Sequence, residues 1–141
     1  MASVNDLRGC WRLISQHGET QGTNERQYRF GERPFGRLIL APDGHMIALL
    51  VARDRKEGKS DSDQAALFRS MLAYTGTYRV EGDRFIVKVD ASWNEAWTGT
   101  DQERFYKLDG DRLDIVSAWL PHPFIADSPP VRGVLSWRRE S

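Results

Sequence analysis

The stretch FGRLILAPDGHMIALLVAR, residues 35–53, decides how the chain is read. Two apolar-rich runs flank Pro42-Asp43-Gly44. Glycine supplies the positive φ of a tight hairpin turn, and proline and aspartate suit the positions before it. The stretch therefore reads as strand, turn, strand. The same punctuation recurs at Glu81-Gly82-Asp83 and Asp109-Gly110-Asp111, each between apolar-rich runs. Working outward, strands are predicted at about 10–20, 36–42, 45–53, 74–80, 84–92, 102–108, 112–119 and 131–139. Short links join only antiparallel neighbours, so the strands run up and down in order.

One segment breaks the pattern. Residues 60–72, SDSDQAALFRSML, place Ala65, Phe68, Met71 and Leu72 near helical spacing. Ser60 or Ser62 can cap the start, and Asp61 and Asp63 complement the helix dipole there. We read a short amphipathic helix, with a further short turn around Val4–Leu7. Residues 53–60 are charged and contain glycine, which predicts a mobile loop. Residues 120–130, LPHPFIADSPP, hold four of the six prolines and read as irregular but stiff. There is no internal repeat and no linker, so residues 1–141 are expected to form one domain. About eight strands and one helix favour an all-β, up-and-down antiparallel barrel. Closure removes exposed edges, and eight strands leave room for side chains or one small ligand. The helix would cover a barrel mouth or the outer wall.

Composition narrows the function classes. The 141 residues suit one core, and 40% hydrophobic with 28% charged residues is ordinary for a soluble domain. Twenty basic side chains balance twenty acidic ones, which leaves no footprint for nucleic acid or an anionic membrane. No apolar run reaches the roughly 20 residues of a membrane helix. MASVNDLRG lacks the order of a signal peptide, and the one cysteine, Cys10, allows no internal disulfide. A cytoplasmic setting is the expectation. Cys10 reads as a bystander on a strand, with no cationic cluster beside it.

Strand alternation assigns faces. Leu113, Ile115, Ser117 and Trp119 point inward, opposite Arg112 and Asp114. Phe85, Val87, Val89 and Ala91 share a face opposite Arg84, Lys88 and Asp90. Tyr74, Gly76, Tyr78 and Val80 oppose Thr75, Thr77 and Arg79. On 102–108 the face with charges at both ends is Glu103, Phe105 and Lys107, which turns Arg104, Tyr106 and Leu108 inward. An inward arginine is costly unless partnered. Arg104 is either an anchor for a ligand carboxylate or carbonyl, or the centre of an internal salt bridge or tryptophan stack.

The remaining candidates follow the aromatics. Trp11 and Trp137 read as barrel-end plugs. Trp93, Trp97, Trp119, Tyr74, Tyr78, Tyr106 and Met46 are left as candidate cavity lining, which suits a partly aromatic ligand. Thr98, Gly99 and Thr100 read as rim and turn. His17, His45 and His122 are too dispersed for a metal site, so no metal is expected. His122, between two prolines, is a general base or hydrogen-bond partner at the mouth, or a solvated loop residue. Asp90 is an acid/base group beside aromatic walls or, on the outward face alongside Lys88, half of a surface cross-strand ion pair. No nucleophile elbow, P-loop or dinucleotide fingerprint is present, so no cofactor is expected.

Several segments together carry a resemblance. They are Gly9-Cys10-Trp11-Arg12-Leu13, the Phe35–Met46 hairpin, Ala73–Tyr78, Trp97–Arg104, Leu108–Leu113 and Leu135-Ser136-Trp137-Arg138. In this order they resemble the bacterial and fungal lipocalin-like domain family, a calycin-type barrel with a G-x-W opening. The resemblance implies that Trp11 closes one barrel end under Arg138 or Arg139, and that the barrel holds a small-molecule cavity. The family pattern often has a histidine in the 84–90 strand, where this chain has Val87 and Lys88. Two functions follow as expectations. One is binding of a small, largely apolar or aromatic molecule, its polar head on Arg104 and Tyr106. The other is a cofactor-free cyclase, isomerase, dehydratase or hydrolase using His122, Asp90 or Tyr106. A homodimer through an exposed sheet face is a third possibility, in an interaction role.

Overall fold

The computed structural model describes residues 4–23, 25–122 and 125–141. The strands are β1 (Gly9–Thr20), β2 (Arg26–Gln27), β3 (Phe35–Leu40), β4 (His45–Val51), β5 (Met71–Glu81), β6 (Arg84–Ser92), β7 (Asp101–Asp109), β8 (Arg112–Ser117) and β9 (Val131–Arg139). The helices are α1 (Val4–Leu7) and α2 (Asp61–Arg69), with one 3-10 turn at Glu95–Trp97. All pairings are antiparallel: β1 pairs with β3, each strand from β3 to β9 pairs with the next, and β9 returns to pair with β1 from Thr20↔Val131 to Trp11↔Arg139. Eight strands thus close into the barrel that the hairpin punctuation predicts. The two-residue β2 is an addition to the end of β1.

The turns at 41–44, 82–83 and 110–111 lie at one end, and that end is shut. Trp11 is fully buried there, and its indole Nε1 donates to the Leu7 carbonyl at 2.9 Å. The Arg139 guanidinium lies 4.2 Å from the Trp11 ring centroid. Its Nη1 and Nη2 donate to the carbonyls of Arg8 and Asp6 at 2.8 and 2.7 Å. Arg139, not the exposed Arg138, therefore closes the plug, and α1 is pinned beneath it.

The predicted helix is shorter than its apolar spacing suggests. Ser60 Oγ caps it by accepting from the Asp63 N–H at 3.1 Å, a contact worth about 1 kcal/mol. It stops at Arg69, because Met71 and Leu72 pair with Val51 and Leu50 as the start of β5. No α2 residue is buried. The helix sits at the rim, where the Phe68 carbonyl accepts from Trp93 Nε1 at 3.2 Å. The loop at 53–60 is tied to the helix end by Arg55, whose Nε donates to Ser70 Oγ at 3.0 Å.

Two bulges reset the alternation. In β1 the register shifts between Leu13 and Ser15, so Ile14 is extra and Gln16, not Ser15, turns inward. In β6 the register shifts opposite Thr75 and Gly76, so Asp90 is extra and Ala91 faces solvent instead of the interior.

Candidate functional site

Away from the Trp11 plug, the inward faces do not meet. They enclose a cavity of about 680 Å³ that opens among the loops at 27–30, 94–97 and 120–128. Leu38, Phe85, Ile115 and Trp137 form its floor, with Ala48, Leu50, Leu72 and Leu135 on the walls. Trp137 is thus a floor residue rather than a barrel plug.

Arg104 is the polar centre of this wall and is only 6% exposed. Its Nη1 donates to Gln102 Oε1 at 3.3 Å and to the Glu103 carbonyl at 3.1 Å. Gln102 is oriented in turn. Its Nε2 donates to Thr100 Oγ1 at 2.8 Å, and that hydroxyl donates to the Trp97 carbonyl at 2.6 Å. The guanidinium carbon lies 5.8 Å from the Tyr74 ring centroid and 5.5 Å from that of Trp97. These rings belong to a ladder of tilted and edge contacts, Phe68–Trp93–Trp97–Tyr74, with centroids 6.0, 5.2 and 5.3 Å apart. Among the described residues no carboxylate lies within ion-pair distance of Arg104. Of the two readings of Arg104, the structural one is met in its ring-contact form, against Trp97 and Tyr74, with no internal salt bridge among the described residues, and the ligand-anchor reading is left to a proposal.

The sequence-predicted site residues divide by depth as well as by face. Arg104, Trp97, Tyr74 and His122 all line the cavity. Tyr78 and Met46 face inward but lie below the floor. Tyr78 Oη donates to the Ala41 carbonyl at 2.9 Å, in the turn at the shut end, and Met46 is buried beside Gly76. Tyr106 is also at the shut end, where its Oη donates to the Gly82 carbonyl at 3.0 Å. Burial, with Asp83 and then Asp6 adding to it, raises its pKa. Trp93 buttresses Trp97 from the rim side. Trp119 lies outside the cavity, because β8 ends at Ser117 and the alternation stops with it. The Arg132 guanidinium sits 4.5 Å from its ring centroid. Asp90 is exposed at the β6 bulge, on the outward side the alternation assigns it, and makes no ion pair among the described residues.

His122 Nδ1 accepts from the Ile125 N–H at 3.1 Å, which leaves the neutral ring's proton on Nε2. Burial, then the charge of Arg29, holds its pKa below the usual imidazole value. Its flanking Pro123 lies outside the described residues. Gln102, Gln16 and Arg29 are among the lining residues that were not picked out from the sequence. Gln102 shares the face of Arg104 two residues on, so the alternation did contain it. Gln16 is turned inward only by the β1 bulge. Arg29 comes from the loop after β2. There its Nε and Nη2 donate to the Arg69 and Met71 carbonyls, each at 3.1 Å, and desolvation lowers its pKa to about 10. Two buried polar atoms on the lining residues, Gln16 Oε1 and Trp137 Nε1, have no hydrogen-bond partner among the described residues. Among the described residues no cluster of His, Cys, Asp and Glu is arranged to hold a metal.

The barrel is plugged by Trp11 and Arg139 at one end and holds the cavity above them. The family model described as "Lipocalin-like domain" matches residues 8–140. The chain belongs to the lipocalin-like domain family. The 4'-hydroxy-3'-methoxypropiophenone carrier protein ppsC of Aspergillus oryzae is 31% identical to this lipocalin-like chain over 88 residues, 57% of this chain and 77% of that protein. A crystal structure of an uncharacterized protein from Bacteroides eggerthii matches with 12% identity and a TM-score of 0.44, over 94% of this chain and 98% of that one. No helix among the described residues of this lipocalin-like barrel is long and apolar enough to cross a membrane.

Proposed function

We propose that the barrel binds a small, largely apolar or aromatic molecule in the cavity, with a polar head placed at Arg104. The observation that carries this is the cavity itself. It has the size of a small-molecule site, its walls are mostly apolar, and the oriented guanidinium of Arg104 is among the three that line it. The name of the relative, a carrier of an aromatic ketone, supports a carrying role. The body of the ligand would lie against Trp97, Tyr74 and the aliphatic wall, and Gln102 would assist Arg104 at the head. Of the groups considered for acid/base catalysis, only His122 shares the cavity with Arg104, so binding is the reading the geometry favours.

Titration of tryptophan fluorescence with phenolic ketones, aromatic acids, polyketides and fatty acids tests this, because Trp97 and Trp137 line the cavity. An Ala48→Trp variant fills the wall and should abolish quenching by any ligand that the native protein binds. Absence of binding below about 1 mM across the panel would sink the reading, since such affinity is worth only about 4 kcal/mol. A homodimer would use the outer face of β3 and β4, where Ile39, Ile47 and Leu49 are exposed. Sedimentation equilibrium showing only monomer at 100 micromolar (on the order of ligand-assay concentrations) would remove it.

A further inference from the structure

The charge inside the cavity differs from the charge of the chain. The chain is neutral, with twenty basic and twenty acidic side chains. Among the described residues that line the cavity, Arg29, Arg104 and Arg132 are present, and there is no aspartate or glutamate. Arg132 is balanced at the mouth by Glu19, whose Oε1 accepts from its Nε at 2.8 Å. Arg104 has no such balance. Its partners among the described residues are a side-chain amide, a backbone carbonyl and two rings, all of them neutral. Neutral acceptors orient a guanidinium but do not cancel its charge, and an uncancelled charge removed from water is costly. Only Nη1 is engaged, so Nε and Nη2 have no acceptor among the described residues, and they offer the planar fork that matches a carboxylate. Tyr74 Oη likewise has no hydrogen-bond partner among the described residues, on a ring that borders the same guanidinium.

Resting on the binding role above, we infer that the ligand's head is an anion, a carboxylate on an apolar or aromatic body, and that the cavity discriminates against neutral carbonyl compounds of the same shape. One carboxylate supplies the single negative charge that Arg104 lacks.

The test is a matched set, 4-phenylbutyrate, its methyl ester and its primary amide, titrated by calorimetry into the native protein, Arg104→Gln and Arg104→Lys. The native protein should bind the acid at least about tenfold more tightly than the ester or amide. Arg104→Gln should lose that preference and bind the three probes within about threefold of one another, with an unchanged far-ultraviolet circular dichroism spectrum showing that the barrel is intact. Arg104→Lys should keep part of the preference, since the charge remains and the fork does not. Equal binding of all three probes to the native protein overturns the anion inference and leaves the binding role standing. So does a preference for the acid that survives in Arg104→Gln. If none of the three binds, nor anything in the wider ligand panel, the binding role falls and this inference falls with it.

Discussion

Arg104→Met separates a ligand-binding arginine from a structural one by stability alone. Methionine keeps the length and loses the charge. The losses can be summed from the contacts. The Nη1 bond to the Glu103 carbonyl at 3.1 Å is worth about 2 kcal/mol, and the longer one to Gln102 at 3.3 Å about 1 kcal/mol. The two ring contacts, at 5.8 and 5.5 Å, lie near the outer limit of the cation–π range and add roughly 1 kcal/mol together. The loss is therefore about 4 kcal/mol. Against it stands the desolvation of an arginine that is 6% exposed and lacks a counter-charge, which costs several kcal/mol. Burial of the methionine side chain returns roughly 1 to 2 kcal/mol more. The expected net is between no change and about 2 kcal/mol of added stability, or up to roughly 6 to 8 °C in Tm. Urea unfolding of the ligand-free proteins measures it, with an unchanged m-value confirming that the same transition is compared. A variant destabilised by more than about 2 kcal/mol would show that Arg104 holds the fold, and the argument for a ligand head there would lose its physical basis.

Three further outcomes follow from the frame around the site. Gly76→Ala should cost about 3 kcal/mol or more, or prevent folding, because a Cβ there collides with the Lys88 backbone carbonyl at the β6 bulge; thermal unfolding reads it. Trp11→Phe should cost roughly 2 to 3 kcal/mol by leaving the Leu7 carbonyl without its donor and a void under Arg139, and a loss below about 0.5 kcal/mol in chemical denaturation would contradict the plug. His122 has a folded pKa below its unfolded value near 6.5, so between the two the unfolded chain binds more protons and stability rises with pH. Acidification from pH 7 through that window should therefore weaken the native protein, and His122→Asn should flatten this part of the pH profile.

The fold was legible because its signals are local. Acidic-glycine turns mark hairpins, and alternation marks which side of each strand is apolar. Both survive in a single sequence, and so does the G-x-W opening. The site was legible by face and not by depth. Alternation turns Tyr78, Met46, Tyr106 and Arg104 to the same interior, yet only Arg104 stands at the height of the cavity. Height along the barrel is set by the stagger between strands relative to the plug, and the stagger has no residue-level signature. Bulges are the second gap. One extra residue at Ile14 exchanges Ser15 for Gln16 in the wall, and one at Asp90 sends Ala91 outward. Strand ends are the third, since Trp119 keeps the inward parity of β8 two residues after the ladder has stopped.

The same alternation explains why the cavity is cationic in a neutral chain. Several acidic side chains in the strands, and Glu140 just after β9, fall on outward positions and meet outward arginines. Glu103 pairs with Arg84 at 2.9 Å, Glu81 with Arg79 at 2.6 Å, Asp114 with Arg112 at 3.1 Å and Glu140 with Arg37 at 3.1 Å. Each of these pairs is solvent-facing and contributes at most about 1 kcal/mol. Their larger effect is on bookkeeping of sign, because they leave the interior with no acid to answer Arg104. Glu103 is the sharpest case. It is the sequence neighbour of Arg104, and its backbone carbonyl accepts from that arginine, yet its carboxylate is on the opposite face and bound to Arg84. A one-residue slip of β7 would exchange the two, placing a carboxylate in the cavity and an arginine in water. The pairing of Arg104 with Ser117 and Phe85 fixes the register against that slip. The sign of the charge presented to a ligand is therefore set by the register of one strand.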